Sequence, residues 1–218
     1  MSASFSNSKG VPIVERMVHA IHANREWLSE IDGAIGDGDH GINMDKGFAL
    51  AGDRIAAEQL SMSDALKLLG TTLLEEIGGS MGPLYGTMFR RMARASKDAE
   101  QIDATVIAAM LQSALEAVTE LGNAKVGDKT MVDTLAPAAE AAVAARERGD
   151  DLPAMLAAVG AAAEEGWAST KEMVARVGRS ARLGDRSRGV FDAGATSCYL
   201  LLTAMGEAML ELCNEDVT

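Results

Sequence analysis

An all-α fold is what this sequence predicts, and three observations carry that reading. Aromatic residues make up only 4% of the 218 positions, while Ala, Leu, Met and Glu abound, and these side chains lose least on entering a helix. Apolar residues recur at a period near 3.6 through roughly eight segments, and no convincing run alternates as a strand does. Short breaks rich in glycine or polar residues separate the segments. With 48% apolar content there is enough material for one substantial core, so residues 1–218 read as a single domain with its core over about 12–213.

The first helix is expected from Pro12 to Ile31, with Val14, Met17, Val18, Ile21 and Leu28 on one side, and the second from Ile42 to Glu58. Ser63 reads as the cap of a third, whose stripe of Leu66, Leu69, Leu73 and Ile77 stops at Gly78 and Gly79. Pro83 suits the first turn of the fourth. The fifth spans Asp103 to Leu121, the sixth Thr130 to Arg148, the seventh Pro153 to Met173 and the eighth Gly194 to Cys213. Connections this short favour antiparallel neighbours, and in an up-and-down array alternate loops emerge at the same end. The loops after helices one, three, five and seven are IDGAIGDGDHG, GGSMGP, GNAKVGDK and a basic stretch ending in VFDAG, whereas those near Gln59, Ala99 and Gly149 carry ordinary turn residues. Glycine and charge therefore gather at one end of the predicted domain.

A formal charge of −12 argues against nucleic acid or an anionic membrane as a partner, since both require a basic face. Residues 171–188 are the exception, with Lys171, Arg176, Arg179, Arg182, Arg186 and Arg188 against Glu172 and Asp185. Such a loop reads as a solvated charged face or as a meeting place for a small polyanion. The N-terminal MSASFSNSKG lacks the pattern of a signal peptide, and no apolar segment is read as reaching the roughly 18 residues of a membrane helix, so a cytoplasmic protein is expected. Cys198 and Cys213 fall in one apolar helical pattern and read as buried thiols.

Asp32, Asp37 and Asp39 lie within eight residues among Gly33, Gly36, Gly38 and Gly41, so the backbone can turn tightly enough to converge three carboxylates. Two unit charges 4 Å apart repel by about 4 kcal/mol at an effective dielectric near 20, so a converged triad either raises its pKa values or takes a hard cation. Oxygen-only ligands point to magnesium bridging to substrate phosphates. A solvated Asp/Gly turn accounts for this segment equally well. An EF-hand starting at Asp37 fails, because Gly41, Ile42 and Phe48 stand where an acid or amide, glycine and glutamate are needed. Of the three histidines, His19 and His22 lie on a helix as ordinary residues, while His40 sits beside the carboxylates. GNAKVGDKT is not a P-loop, since Asp128 intrudes before Lys129 and a helix precedes it. GGSMG and DAGATS place glycines at helix starts, where free amides and the helix dipole favour anions.

The strings IGDGDHGINM (35–44), GPLYGT (82–87), GDKTMVDTL (127–135), LGDRSRG (183–189) and DAGATS (192–197) resemble the ADP-binding L subunit of dihydroxyacetone kinases, in order and spacing from about Val14 to Cys213. The resemblance implies a closed barrel of eight antiparallel helices with adenine nucleotide at one end, its phosphates held through two magnesium ions. It implies Asp32, Asp37 and Asp39 as metal ligands, and His40 and Asn43 at the phosphates. Gly79 and Ser80 would form the phosphate loop, Gly122, Thr130 and Met131 would surround the nucleoside, and Arg186 with Asp192, Ala193 and Gly194 would lie beside them. Arg186 is the expected catalytic residue, neutralising charge on the transferred phosphoryl group. The ketose would sit on a separate K subunit, with either ATP exchanging or ADP rephosphorylated by a phosphotransferase-system M subunit, and a homodimer is expected. Two departures stand out: Met81 replaces a serine of the family's phosphate loop, and a thioether donates no hydrogen bond, while Ala193 replaces a proline. Fatty-acid kinases share the superfamily, but their motif resembles DGDTGTNM, with threonine where His40 stands. A nucleotide-dependent module controlling a transcription factor is the alternative of a different class.

Overall fold

The computed structural model of the chain describes residues 3–215; the first two and last three positions of the expected 1–218 domain lie outside them. The helices are α1 Val11–Ala23, α2 Arg25–Ile35, α3 His40–Ala56, α4 Met62–Glu76, α5 Met81–Ser96, α6 Ala104–Gly122, α7 Val132–Arg148, α8 Leu152–Ser169 and α9 Ala193–Glu215. Successive helices pack on one another from α3 to α9, α9 packs on α1 and α1 on α3, so the order of neighbours closes into a ring, with α2 against α3 and α9. Inside it lies one continuous apolar cluster running from Phe5 to Cys213. Unbranched Met17, Met44, Met110, Met155 and Met209 are buried there beside Phe48 and Phe89, and the flexible thioethers fill the irregular gaps between helices. Cys198 and Cys213 are both buried, as expected, and burial pushes the Cys198 thiol up to about 12.

Local chemistry moves several expected boundaries. The first helix breaks at Asn24, whose backbone leaves the helical region at φ −109° and ψ 11° while its side-chain amide donates to the Ala20 carbonyl at 2.9 Å; a short polar side chain competes here with the helical ladder. The chain then resumes as α2 and carries helix through Asp32 to Ile35. Ser61, not Ser63, caps α4, accepting from the Asp64 amide at 3.1 Å. Ser63 is buried, 3.0 Å from the Asn7 side-chain nitrogen and 2.8 Å from the Ser96 hydroxyl. α8 stops at Ser169 because the Ser169 and Thr170 hydroxyls donate back to the Gly166 and Trp167 carbonyls, leaving a short 3₁₀ turn over Thr170–Glu172.

Two further expectations change. A two-residue pair of strands is present, β1 Phe5–Ser6 and β2 Gln101–Ile102, antiparallel with Phe5 opposite Ile102. Both of those side chains are wholly buried, so the pairing draws the start of the chain onto the core. The second concerns α6, which at 19 residues is long and apolar enough, by length and composition, to cross a membrane. Here it packs between α5 and α7 and buries Ile107, Met110, Leu111 and Val118.

Half of the aromatic side chains lie outside that core in one stack. The Trp167 ring lies parallel to Tyr199 at 4.6 Å and to Phe191 at 4.5 Å, and meets Trp27 edge-on at 6.2 Å. The Trp167 indole N–H donates to Thr196 Oγ1 at 3.0 Å, which satisfies the polar edge of the ring.

Candidate functional site

The connections after α2, α4, α6 and α8 converge on one cavity of about 790 Å³. This is the end of the domain on which the sequence gathers its glycines and charges. Asp32, Asp37, Asp39, His40, Asn43, Gly79, Ser80, Gly122, Thr130, Met131, Asp192, Ala193 and Gly194 all border it. Arg186 does not; Arg179, on the same basic segment, does.

The acidic triad is built by the turn from α2 to α3. Asp32 sits on the last turn of α2, where its carbonyl accepts the Gly36 amide at 2.5 Å and its carboxylate accepts the His40 amide at 3.3 Å. A Cβ at Gly36 would come within 2.5 Å of Asp32 Oδ1, and Gly38 adopts φ +78°. Both positions therefore need glycine, for space and for backbone conformation respectively. One carboxylate oxygen from each of Asp32, Asp37 and Asp39 lies within 4.8 Å of the others. The Arg179 guanidinium pairs with Asp37. Three converged carboxylates with a cationic side chain already drawn to one of them form a donor set suited to a hard divalent cation such as magnesium.

His40 is 8% exposed. Its Nε2 lies 2.8 Å from Ser197 Oγ, which lies 2.6 Å from the Tyr85 hydroxyl, and Tyr85 also reaches the Gly194 carbonyl at 3.0 Å. Burial lowers the His40 pKa to about 4 although Asp32 opposes the shift. At neutral pH it is therefore a neutral hydrogen-bonding ring held in place by Ser197.

The other loops divide into open and self-satisfied ones. Gly79 takes φ +71°, and Ser80 precedes α5 without a side-chain cap, so the first amides of that helix remain available to an anion. In the loop before α7 the Asp133 carboxylate accepts the Gly127 and Thr130 amides at 2.6 and 2.7 Å. Those amides are spent inside the protein. Asp192 likewise accepts the Ala195 amide at 2.7 Å, so that amide of the DAGATS segment is taken up within the protein, while Ala193 and Gly194 border the cavity. Burial raises the Asp192 pKa to about 7, against the opposing pull of the Ala195 amide and Lys129. Apolar wall comes from Leu84, Val118, Leu121 and Met131. A cavity joining carboxylates, open amides and apolar wall suits a ligand with a phosphorylated end and a flat apolar end.

The sequence reading missed Arg179 and the roles of Ser197 and Tyr85. Arg179 was visible only as one of six cations, and Gly178 at φ +76° beside it was the available signal. Nothing local marked Ser197 as a partner of His40, 157 residues away. The exposed His22 pairs at 2.8 Å with the largely buried Asp45, and neither residue borders the cavity.

A profile of the DAK2 domain matches residues 34–207. The chain is 34% identical over 209 residues to the PEP-dependent dihydroxyacetone kinase, ADP-binding subunit DhaL, of Escherichia coli (strain K12), covering 95% of this chain and 100% of that one. It is 38% identical over 186 residues to the ADP-binding subunit DhaL of PEP-dependent dihydroxyacetone kinase 1 of Listeria innocua, covering 85% and 88%. Among solved structures, the dihydroxyacetone kinase from C. freundii in complex with AMP-PNP and Mg2+ matches with a TM-score of 0.71 at 24% identity, over 95% of this chain and 35% of that one. The chain thus spans a minor part of that longer protein, and the likeness carries the all-helical fold.

Proposed function

The chain belongs to the DAK2 domain family, and from that membership and the cavity together we propose that it is the nucleotide-binding, phosphoryl-transferring subunit of a kinase for dihydroxyacetone or a related short ketose. The observation that carries the reading is the meeting of three carboxylates with an open glycine loop in one cavity. Asp32, Asp37 and Asp39 would hold magnesium, two ions in the full reading, and the metal would supply positive charge to offset that of the phosphates. His40 and Asn43 face the phosphates, Gly79 and Ser80 supply amide and hydroxyl donors, and Gly122, Thr130 and Met131 flank the nucleoside, with Asp192, Ala193 and Gly194 alongside. Arg179, which reaches Asp37, delivers positive charge to the transferred phosphoryl group in place of the expected Arg186. The chain's own contribution is position and electrostatics, with no covalent nucleophile.

The ketose belongs on a second protein. Metal and nucleotide account for the residues bordering the cavity, and the relatives that match along most or all of their length are named as ADP-binding subunits. Their PEP-dependent naming favours a retained ADP that a phosphotransferase subunit recharges over an exchanging ATP. The attacking oxygen must come in line with the terminal phosphate, within about 3 to 3.5 Å, so the partner docks at the cavity end.

Reconstitution tests this. The chain with a cognate ketose-binding subunit, magnesium, ADP and a charged phosphotransferase subunit is expected to yield ketose phosphate, whereas turnover with ATP in place of that subunit would mark an exchanging nucleotide. Turnover of dihydroxyacetone by the rigorously purified chain alone refutes the subunit reading.

A further inference from the structure

Lys129 looks from its loop like a phosphate-binding lysine, yet its ammonium is turned to another use. The side chain is 1% exposed, and its Nζ donates to the carbonyls of Thr170, Met173, Ser187 and Val190 at 2.8, 3.2, 2.7 and 2.6 Å. An ammonium has three protons, and four carbonyl oxygens already compete for them. Nothing is left for a nucleotide phosphate. Among the described residues no carboxylate stands within ion-pair distance of it; burial lowers its pKa, with Asp192 and Glu172 opposing from further away.

The four carbonyls come from the two necks of one excursion. Thr170 and Met173 begin it, Ser187 and Val190 end it, and the intervening chain carries Val177, Gly178, Arg179 and Ser180 to the cavity. The necks are cross-tied: the Gly189 amide donates to the Lys171 carbonyl at 2.7 Å, the Ala175 amide to Ser187 Oγ at 2.9 Å, and the Arg176 amide to the Asp128 carbonyl at 3.1 Å. Lys129 stands at the centre of this collar, from a backbone at φ +63°.

We propose that Lys129 is a positioning residue whose enclosed ammonium gathers both necks of the 170–190 excursion and thereby holds Arg179 at the acidic triad. What Arg179 does there rests on the proposed phosphoryl-transfer role; how Lys129 holds it does not. Removing the ammonium buries carbonyl oxygens without donors, a state that proteins avoid by local opening. The collar is also shaped to accept a free cation of the same kind, because four oxygens would surround the vacated position.

Two variants of the full chain test this. Lys129→Gly vacates the position at a backbone conformation that glycine adopts freely. Lys129→Met keeps the length and fills the space without the charge. Trypsin can cut the excursion after Lys171, Arg176, Arg179, Arg182, Arg186 and Arg188. With helix content unchanged by circular dichroism, both variants should be cut there at least about tenfold faster than wild type, as expected when a local opening equilibrium shifts. Ammonium chloride should slow cleavage of Lys129→Gly saturably, and tetramethylammonium chloride at equal ionic strength should not. Lys129→Met should respond to neither, and it carries the cleavage test by itself if Lys129→Gly does not fold. In the reconstituted kinase, kcat of Lys129→Gly should fall and recover with ammonium over the same concentration range. Cleavage at the wild-type rate in both variants, or acceleration in Lys129→Gly that ammonium leaves untouched, overturns the proposal. Failure of nucleotide binding by wild type would strike the proposed function alone, since the proteolysis reads the collar without nucleotide.

Discussion

Gly41→Ala tests how tightly the acidic triad depends on backbone contact between α2 and α3. A methyl group at Gly41 would lie 2.7 Å from Ser29 Oγ and 2.9 Å from the Ser29 amide nitrogen, and closer still to the Arg25 carbonyl, whereas ordinary Cβ contacts begin at 3.4 Å. Two of these neighbours are helix backbone, so no side chain can swing away, and the first turn of α3 must move from α2 by at least half an ångström, on the order of the displacements that overpacked sites force. Overpacking of this kind costs about 1 to 3 kcal/mol, and the rigid surroundings place Gly41 near the top of that range. For a chain of this size about 3 kcal/mol lowers Tm by roughly 6 to 12 °C. The same movement carries Asp39 and His40 away from Asp32, and misplacement on that scale should weaken magnesium-dependent nucleotide binding by about tenfold or more. Gly160→Ala is the control. It lies within α8 with nothing inside 4 Å of an added Cβ, and it should raise stability by up to about 1 kcal/mol through helix propensity. Thermal denaturation followed by circular dichroism and titration calorimetry give both readings. A Gly41→Ala protein that melts within about 2 °C of wild type, less than the shift for 1 kcal/mol, and binds nucleotide equally well refutes the argument.

Asp37→Ala should abolish nucleotide binding, because triad and phosphates repel until a cation bridges them; unchanged affinity in EDTA by calorimetry would remove the metal assignment. Ser80→Ala should weaken nucleotide binding by about 1 to 2 kcal/mol if its hydroxyl stands in for the serine that Met81 displaced, while unchanged affinity would leave the phosphate to the backbone amides. Asp192 has its folded pKa raised from 3.8 to about 7, so between those values the folded state keeps a proton that the unfolded chain has lost. Its contribution is full below the unfolded pKa and disappears as pH rises through about 7, with a span on the order of 4 kcal/mol. Asp192→Asn should remove that downward slope from the stability profile between pH 4 and 8, and parallel profiles for the two proteins would contradict the assignment.

What could be read from the chain beforehand follows from how locally each feature is determined. Alternation of glycine-rich with ordinary connections was enough to bring four loops to one end, because short links between helices leave little topological choice. The Asp32, Asp37 and Asp39 cluster was legible since its glycines are close in sequence and act on their immediate neighbours. Choosing between Ser61 and Ser63 as a cap was not, because both are good capping residues and the decision fell to Asn7, which accepts from the Ser63 amide at 3.2 Å across 56 residues. The break at Asn24 carries neither proline nor glycine to announce it. That Arg179 and not Arg186 borders the cavity depends on where the 170–190 excursion is pinned, and the pin comes from Lys129 on a different loop.

The outer aromatic stack gives the protein an optical reporter of its own. Both tryptophans of the chain belong to it, and no tryptophan elsewhere dilutes the signal. Trp27 rides on α2, which leads into Asp32, and Phe191, stacked on Trp167, immediately precedes Asp192. Indole emission depends on the rings beside it, so any adjustment of α2 or of the start of α9 that accompanies ligand loading is written into the intrinsic fluorescence. Rapid mixing with magnesium and nucleotide can then time that adjustment in unlabelled protein, before any partner subunit is added.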